Sequence, residues 1–232
     1  MTITPTALMR ISAGAAVAAG VTFIGVQLGH PHSDVTAVTS TEWAVRNVFK
    51  VLMAILALAG ITGMYLRQVR EIGLLGLIGY GIFGLGYLSI MAIAFVSAVV
   101  LPAIAATDPA YVNDVLAAAT NGTATGDIGL MQTALSISGA TFLGGGLVFG
   151  IALYRTRVLA RWAAVLLAVA SLLTVSLAFL PDAFYRFLAF PNAIAMIGLG
   201  YSLWLTTRAR TAIPTTPPAG ADDELSTVAD QQ

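Results

Sequence analysis

The segment Ala44–Leu101, AVRNVFKVLMAILALAGITGMYLRQVREIGLLGLIGYGIFGLGYLSIMAIAFVSAVVL, holds two long apolar stretches separated by Arg67-Gln68-Val69-Arg70. Each stretch exceeds the ~20 residues that an α-helix needs to cross roughly 30 Å of hydrocarbon. Basic residues are retained on the cytoplasmic side of a membrane. The segment therefore predicts two membrane-spanning helices joined by a turn on the cytoplasmic side.

The rest of the chain repeats this arrangement. Apolar stretches lie near residues 11–28, 44–66, 72–101, 129–154, 160–180 and 186–207. The polar segments that flank them alternate in charge. One set carries Arg10, Arg67, Arg70, Arg155, Arg157, Arg161, Arg208 and Arg210. The other set carries Asp34, Glu42, Asp108, Asp114, Asp127 and Asp182. We therefore predict an all-α, six-helix integral membrane bundle with both termini in the cytoplasm.

The composition is typical of a membrane protein and excludes several kinds of function. The chain is 58% hydrophobic and 9% charged, against roughly 25% charged residues in soluble domains. Its formal net charge is zero, which argues against nucleic-acid binding because that function needs a basic face. The absence of cysteine excludes disulfides and cysteine-ligated metals. The first stretch also resembles a signal peptide, but its weak basic region and the charge pattern favour a retained helix.

Two segments lie outside the apolar stretches. In the longest outer loop, Asp108-Pro109 is a helix-start signal. Apolar residues then recur at helical spacing, which predicts a short amphipathic helix near residues 109–120. It is either an ordinary surface helix or a gating lid. Residues 1–210 form the membrane domain, and the polar, proline-rich segment 211–232 is expected to be a disordered cytoplasmic tail.

Polar residues inside the apolar stretches are concentrated in the outer half. They are Gln27, Asn47, Lys50, Ser89, Ser97, Gln132, Ser136, Ser138, Thr141, Ser176 and Asn192. If these groups face one another, they line a shallow vestibule that opens outward. If they only bond one helix to another, they contribute about 0.6 kcal/mol each.

Charged residues near this polar half suggest a ligand. Glu42, Arg46 and Lys50 follow at four-residue spacing on one helix face. Charges inside a membrane usually mark function, although a lysine near the boundary can also extend toward the head groups. We expect Arg46 and Lys50 to meet an anionic head group. The candidate ligand-binding residues are Arg46, Asn47, Lys50, Ser136 and Asn192.

The two histidines lie in His30-Pro31-His32-Ser33-Asp34. In an extended segment, alternate side chains point the same way, so His30, His32 and Asp34 can converge on a divalent transition metal. Three ligands from five consecutive residues make an incomplete site. A solvated polar loop is the simpler interpretation, and otherwise no cofactor is expected.

Small residues recur every four positions, in Ser136, Ala140 and Gly144 and in the pairs Gly146–Gly150 and Gly25–Gly29. Such spacing lets helices approach closely. The partner helix can belong to the same bundle, to a second copy or to another membrane subunit.

Several short sequence segments resemble those of small polytopic membrane proteins of high-GC bacteria. They are GMYLRQVR at 63–70, AFVSAVVLP at 94–102 and FGIALYR at 149–155. That group has no assigned activity, so the resemblance implies a fold and a bacterial cytoplasmic membrane but no catalytic residues.

The polar groups in the outer half of the apolar stretches are therefore the main indication of function. Neither a hydrolase motif nor a phosphate-binding motif occurs in the sequence. We expect a non-enzymatic protein that binds a membrane lipid or small amphiphile in an outward-facing vestibule, as a carrier, sensor or accessory subunit. The alternatives are a small secondary transporter, a metalloprotein that uses the histidine loop, and a structural subunit that packs through its glycines.

Overall fold

The computed structural model describes residues 4–28, 34–120, 122–176 and 189–211, with the side chains of 174–176 and 209–211 left out. Every regular element in these ranges is an α-helix, so the predicted all-α fold is confirmed. The helices are α1 (Pro5–Gln27), α2 (Val35–Val38), α3 (Thr41–Arg67), α4 (Gly73–Ala105), α5 (Pro109–Ala119), α6 (Leu130–Thr156), α7 (Arg161–Ser176) and α8 (Ala189–Thr211).

Four of these helices are long and apolar enough to cross a membrane. They are α1, α3, α4 and α6, with 23, 27, 33 and 27 residues. The apolar part of α7, Arg161–Leu173, is shorter. Large apolar side chains such as Ile11, Val48 and Leu74 are exposed on the outer faces of the bundle, where they suit lipid chains better than water. The chain is therefore a helical membrane protein.

Some helix ends differ from the predicted stretches because capping residues lie outside the apolar runs. Helix α1 begins at Pro5 rather than near residue 11, since the Thr4 hydroxyl accepts a hydrogen bond from the Ala7 N–H at 3.2 Å. Helix α3 begins at Thr41, with Ser40 accepting from the Trp43 N–H at 3.2 Å. The tail beyond residue 211 lies outside the described residues. So do the end of the predicted span 160–180 and the start of the predicted span 186–207, which fall between residues 177 and 188.

The four long apolar helices pack with α7 and α8 as a closed ring. Each contacts the next in chain order, and α8 packs back against α1. The tightest pair is α4 and α6, where Gly86 lies against Phe142 and Gly79 lies against Phe149. Between these two contacts the residue number in α6 increases while the residue number in α4 decreases, so the two helices are antiparallel. Glycine permits this approach because no side chain separates the two backbones.

One end of the ring, here called the arginine end, brings together the helix termini that carry arginine. The Thr156 hydroxyl at the end of α6 donates to the side-chain oxygen of Gln68, which follows α3. The N–H of Ala160 donates to the Ser202 hydroxyl of α8 at 2.8 Å. Ser12 of α1 lies against Gly63 of α3. The arginines with described side chains that lie at this end are Arg10, Arg67, Arg70, Arg155, Arg157, Arg161 and Arg208.

The opposite end, here called the loop end, holds the two short helices. Helix α5 begins where the sequence indicated, because Asp108 accepts a hydrogen bond from the Tyr111 N–H at 3.0 Å and Pro109 occupies its first turn. Its buried side chains join a small core with Val38, Trp43 and Leu101. This core positions α5 beside the ends of α3 and α4.

Candidate functional site

A cavity of about 750 Å³ lies at the loop end, between α1, α3, α4, α5, α6 and α8. Its size falls within the roughly 300–1,000 Å³ that is typical of small-molecule sites. Most of its lining is apolar. The polar side chains in it are Gln27, Trp43, Asn47, Lys50, Ser97, Thr120, Gln132, Ser136, Ser138 and Asn192. The loop-end cavity thus combines a largely apolar wall with a few polar groups.

One face of α3 supplies three of these side chains. Trp43, Asn47 and Lys50 follow at four- and three-residue spacing, so they lie above one another on the helix. The Trp43 indole N–H donates to the carbonyl of Ser97 in α4 at 2.8 Å, and the Asn47 amide donates to the Trp43 carbonyl at 3.0 Å. The first bond holds this face of α3 against α4, and the second fixes the Asn47 side chain along α3.

Lys50 is the only charged side chain in the lining that the structure describes. It lies nine residues after Thr41, about 14 Å along the helix axis from the loop end. Its ammonium group makes no hydrogen bond or ion pair with any described residue, and no described carboxylate lines the cavity. A cation among apolar and neutral groups is stabilised by an anion.

Asn192 enters the cavity from the first turn of α8. It is 3% exposed, and its Oδ1 atom is buried without a hydrogen-bond donor in the described part of the chain. Asn47 is 2% exposed, and its one hydrogen bond to a described residue uses its nitrogen. Buried amide oxygens normally have a partner, and neither of these two oxygens has a donor among the described residues.

Arg46 is held by Glu42, the residue four positions earlier on the same helix face, as their spacing indicated, and it lies away from the cavity in which we expected it to meet a head group. It pairs with Glu42, with 2.8 Å between Nη2 and Oε1. It also donates to the carbonyls of Val26 and Leu28 at 3.2 and 2.8 Å. These carbonyls end α1, so Arg46 ties α1 to α3 and does not line the cavity. The reason is local, since its guanidinium reaches the carbonyls that the end of α1 leaves without helical partners.

Ser136 is part of the lining, but its hydroxyl donates within α6 to the carbonyl of Gln132 at 2.9 Å. The structure therefore brings Asn47, Lys50, Ser136 and Asn192 to one cavity. It also adds Trp43, which our candidate set omitted. The sequence contained a signal for it, because Trp43 precedes Asn47 by four residues on the same helix face.

The predicted metal ligands are only partly described. Asp34 caps α2, and its carboxylate accepts from the Ala37 N–H at 2.8 Å and from the Thr36 hydroxyl at 2.6 Å. His30 and His32 lie outside the described residues. Within the described ranges, no group of three or more potential metal ligands comes together. The metal hypothesis stays a prediction.

Aromatic side chains close the cavity toward the arginine end. Phe142 lines the cavity and contacts Phe83 and Tyr87, with ring centres 5.4 and 5.3 Å apart. Phe83, Tyr87 and Phe149 are buried. Farther along, Tyr65 and Tyr80 stack with their ring centres 4.8 Å apart. We call Phe83, Tyr87, Phe142 and Phe149 the aromatic floor.

The glycines that recur at four-residue spacing in α1 and α6 differ in their surroundings. Gly146 lies against Ser171, and Gly150 lies against the backbone of Ala164 and Ala168, so both pack on α7 of the same chain. Gly25 and Gly144 have no atom within 4 Å of an added Cβ position. The Gly146–Gly150 pair is thus used within the bundle.

The described groups of the cavity can recognise a ligand by charge and by hydrogen bonding. Its described lining offers one cation and several amide and hydroxyl groups, without a histidine or a carboxylate to act as a base.

No protein-family model matches the chain, and no curated protein or solved structure shows detectable similarity to it.

Proposed function

We propose that this chain is a six-span protein of a bacterial cytoplasmic membrane that binds a lipid or small amphiphile with an anionic head group. The loop-end cavity is the binding site and opens to the outside. The protein acts as a carrier, sensor or accessory subunit for this ligand. The single observation that carries the proposal is Lys50, a cation without a described counter-ion in a mainly apolar cavity.

The orientation is supported by the arginine end. The termini of the long helices gather their arginines there, and basic residues favour the cytoplasmic side. Helices α7 and α8 complete a ring with the four long apolar helices, which supports six spans with both chain ends on the arginine side. The loop-end cavity then faces outward.

The lining of the cavity supports an amphiphile. Side chains such as Phe23, Met53 and Ile90 offer an apolar surface for an acyl chain, while Lys50 offers a charge-assisted hydrogen bond to an acidic oxygen. The aromatic floor lies between the cavity and the arginine end, which favours holding a molecule over passing it across the membrane.

A quenching titration tests the proposal, because Trp43 lines the cavity. Trp162 and Trp204 are exposed on outer faces and are replaced by phenylalanine, which leaves Trp43 as the reporter. Brominated dodecanoate is then titrated into the protein in nanodiscs. We expect saturable quenching, with Lys50→Met weakening binding roughly 10- to 100-fold, because a hydrogen bond to a charged group contributes about 1.5–3 kcal/mol.

Arg70→Met is the matched control, since it removes an exposed cation at the arginine end and should leave the titration unchanged. A correctly folded Lys50→Met variant that binds as tightly as the parent protein would remove the basis of the proposal.

A further inference from the structure

We infer that the anionic head group also carries a hydroxyl group, which donates a hydrogen bond to Asn192. This inference rests on the proposed function and adds the chemical class of the ligand. An acidic oxygen binds Lys50, and a hydroxyl a few atoms away binds the amide oxygen of Asn192. Hydroxy fatty acids and glycerol phosphate lipids share this chemistry.

The carbonyl oxygen of Asn192 carries the argument. Asn192 lines the cavity, is 97% buried, and its Oδ1 atom has no donor among the described residues. A buried acceptor without a donor is costly unless something else satisfies it. A donor supplied by the bound molecule removes this cost only when the site is occupied.

Asn47 strengthens the argument from α3, which also lines the cavity. Its amide nitrogen is committed to the Trp43 carbonyl at 3.0 Å. Its oxygen, like that of Asn192, is an acceptor in a buried side chain. The described lining therefore holds two buried asparagine side chains whose oxygens have no described donor, beside one ammonium donor. An acid that offers only acceptors would match Lys50 and leave both amide oxygens unsatisfied.

Charge excludes the other common head groups that carry donors. An ammonium head group would place a like charge beside Lys50, and no described carboxylate lines the cavity to offset it. A quaternary ammonium offers no N–H donor at all. A hydroxyl is the donor that adds no positive charge, which is why we assign a hydroxylated acid.

The test compares matched probes that differ by the hydroxyl group. In the first pair, unlabelled 3-hydroxydodecanoate and dodecanoate compete with brominated dodecanoate for the full chain in nanodiscs. In the second pair, the competitors are phosphatidylglycerol and phosphatidylmethanol in the nanodisc bilayer, which share the phosphate charge. The variants are Asn192→Leu, which is close in size, and Asn192→Ala.

We expect the parent protein to prefer the hydroxylated member of at least one pair about ten-fold, the effect of one good hydrogen bond. Both variants should lose this preference while still binding the plain acid. The pair that shows the preference identifies the source, a free hydroxy acid or a membrane lipid.

Three results separate the possible failures. Equal affinity for both members of both pairs, with binding still dependent on Lys50, overturns the hydroxyl assignment and leaves the proposed function standing. A preference that survives in both Asn192 variants overturns the role of Asn192. Absence of any saturable binding by the parent protein refutes the proposed function itself, and this inference with it.

Discussion

Gly144 and Gly145 are neighbours in α6 with opposite surroundings. A Cβ atom added at Gly145 would lie 2.3 Å from the backbone nitrogen of Phe83 and 2.4 Å from its Cα, whereas one added at Gly144 would meet nothing within 4 Å. Alanine at either position gains the same intrinsic helix propensity, about 1 kcal/mol. The two substitutions therefore differ only in what the new methyl group meets.

The expected size of the effect follows from these distances. Ordinary Cβ contacts begin near 3.4 Å, so Gly145→Ala requires α4 and α6 to separate by about 1 Å. The contacts of Gly79 with Phe149 and of Gly86 with Phe142 lie on the same interface and would open with it. Overpacking of this kind costs typically about 1–3 kcal/mol, which exceeds the propensity gain.

Reversible unfolding of the two variants, measured side by side in the same detergent, tests this reasoning. We expect Gly145→Ala to lower the free energy of unfolding by about 1–3 kcal/mol and Gly144→Ala to leave it unchanged or to raise it slightly. Equal stability of the two variants would refute the close approach of α4 and α6 at this point, and with it the position of the aromatic floor.

Two further predictions concern the loop end. Trp43→Phe should lower the free energy of unfolding by about 0.5–1.5 kcal/mol, because it removes the 2.8 Å bond to the Ser97 carbonyl, with Trp162→Phe as the control. The pKa of Asp114 is lowered, chiefly because its carboxylate accepts from the N–H and hydroxyl of Thr125, with a smaller contribution from the Gly126 N–H. The stabilisation from this carboxylate is therefore present above its unfolded pKa of about 3.9 and is lost as the pH falls through the lower folded value. Hydrogen exchange of the Thr125 and Gly126 amides should accelerate in Asp114→Asn at neutral pH. In the parent protein, the protection of these amides relative to their intrinsic exchange rates should fall only below about pH 4, and unchanged protection in the variant would contradict this role.

The helical membrane fold follows from patterns that are local in the sequence. The long apolar runs set the helices, and cap signals such as Asp108-Pro109 set the start of α5. Helix α1 begins earlier than the predicted start near residue 11, because its cap signal, Thr4-Pro5, lies outside the apolar run. The closure of the ring by α8 against α1 depends on packing between distant segments, and no local pattern encodes it.

The site could be predicted only in part, for a related reason. The position of a polar residue along a helix indicates its depth, which is why Asn47, Lys50 and Asn192 were recognised. The pairing of Arg46 with Glu42 follows from their four-residue spacing, but its bonds to the carbonyls of Val26 and Leu28 could not be predicted, because these acceptors belong to another helix. The lack of a donor for Asn192 is also a property of the packed bundle, and a sequence does not reveal it.

The central claim is that the loop-end cavity holds an anionic amphiphile through Lys50. Native mass spectrometry of the protein, released gently from the membrane in which it was made, tests this claim most directly. We predict one acidic amphiphile bound per chain in the parent protein and its loss in a folded Lys50→Met variant. A parent protein that is released without any bound amphiphile, or a Lys50→Met variant that retains it, would contradict the claim.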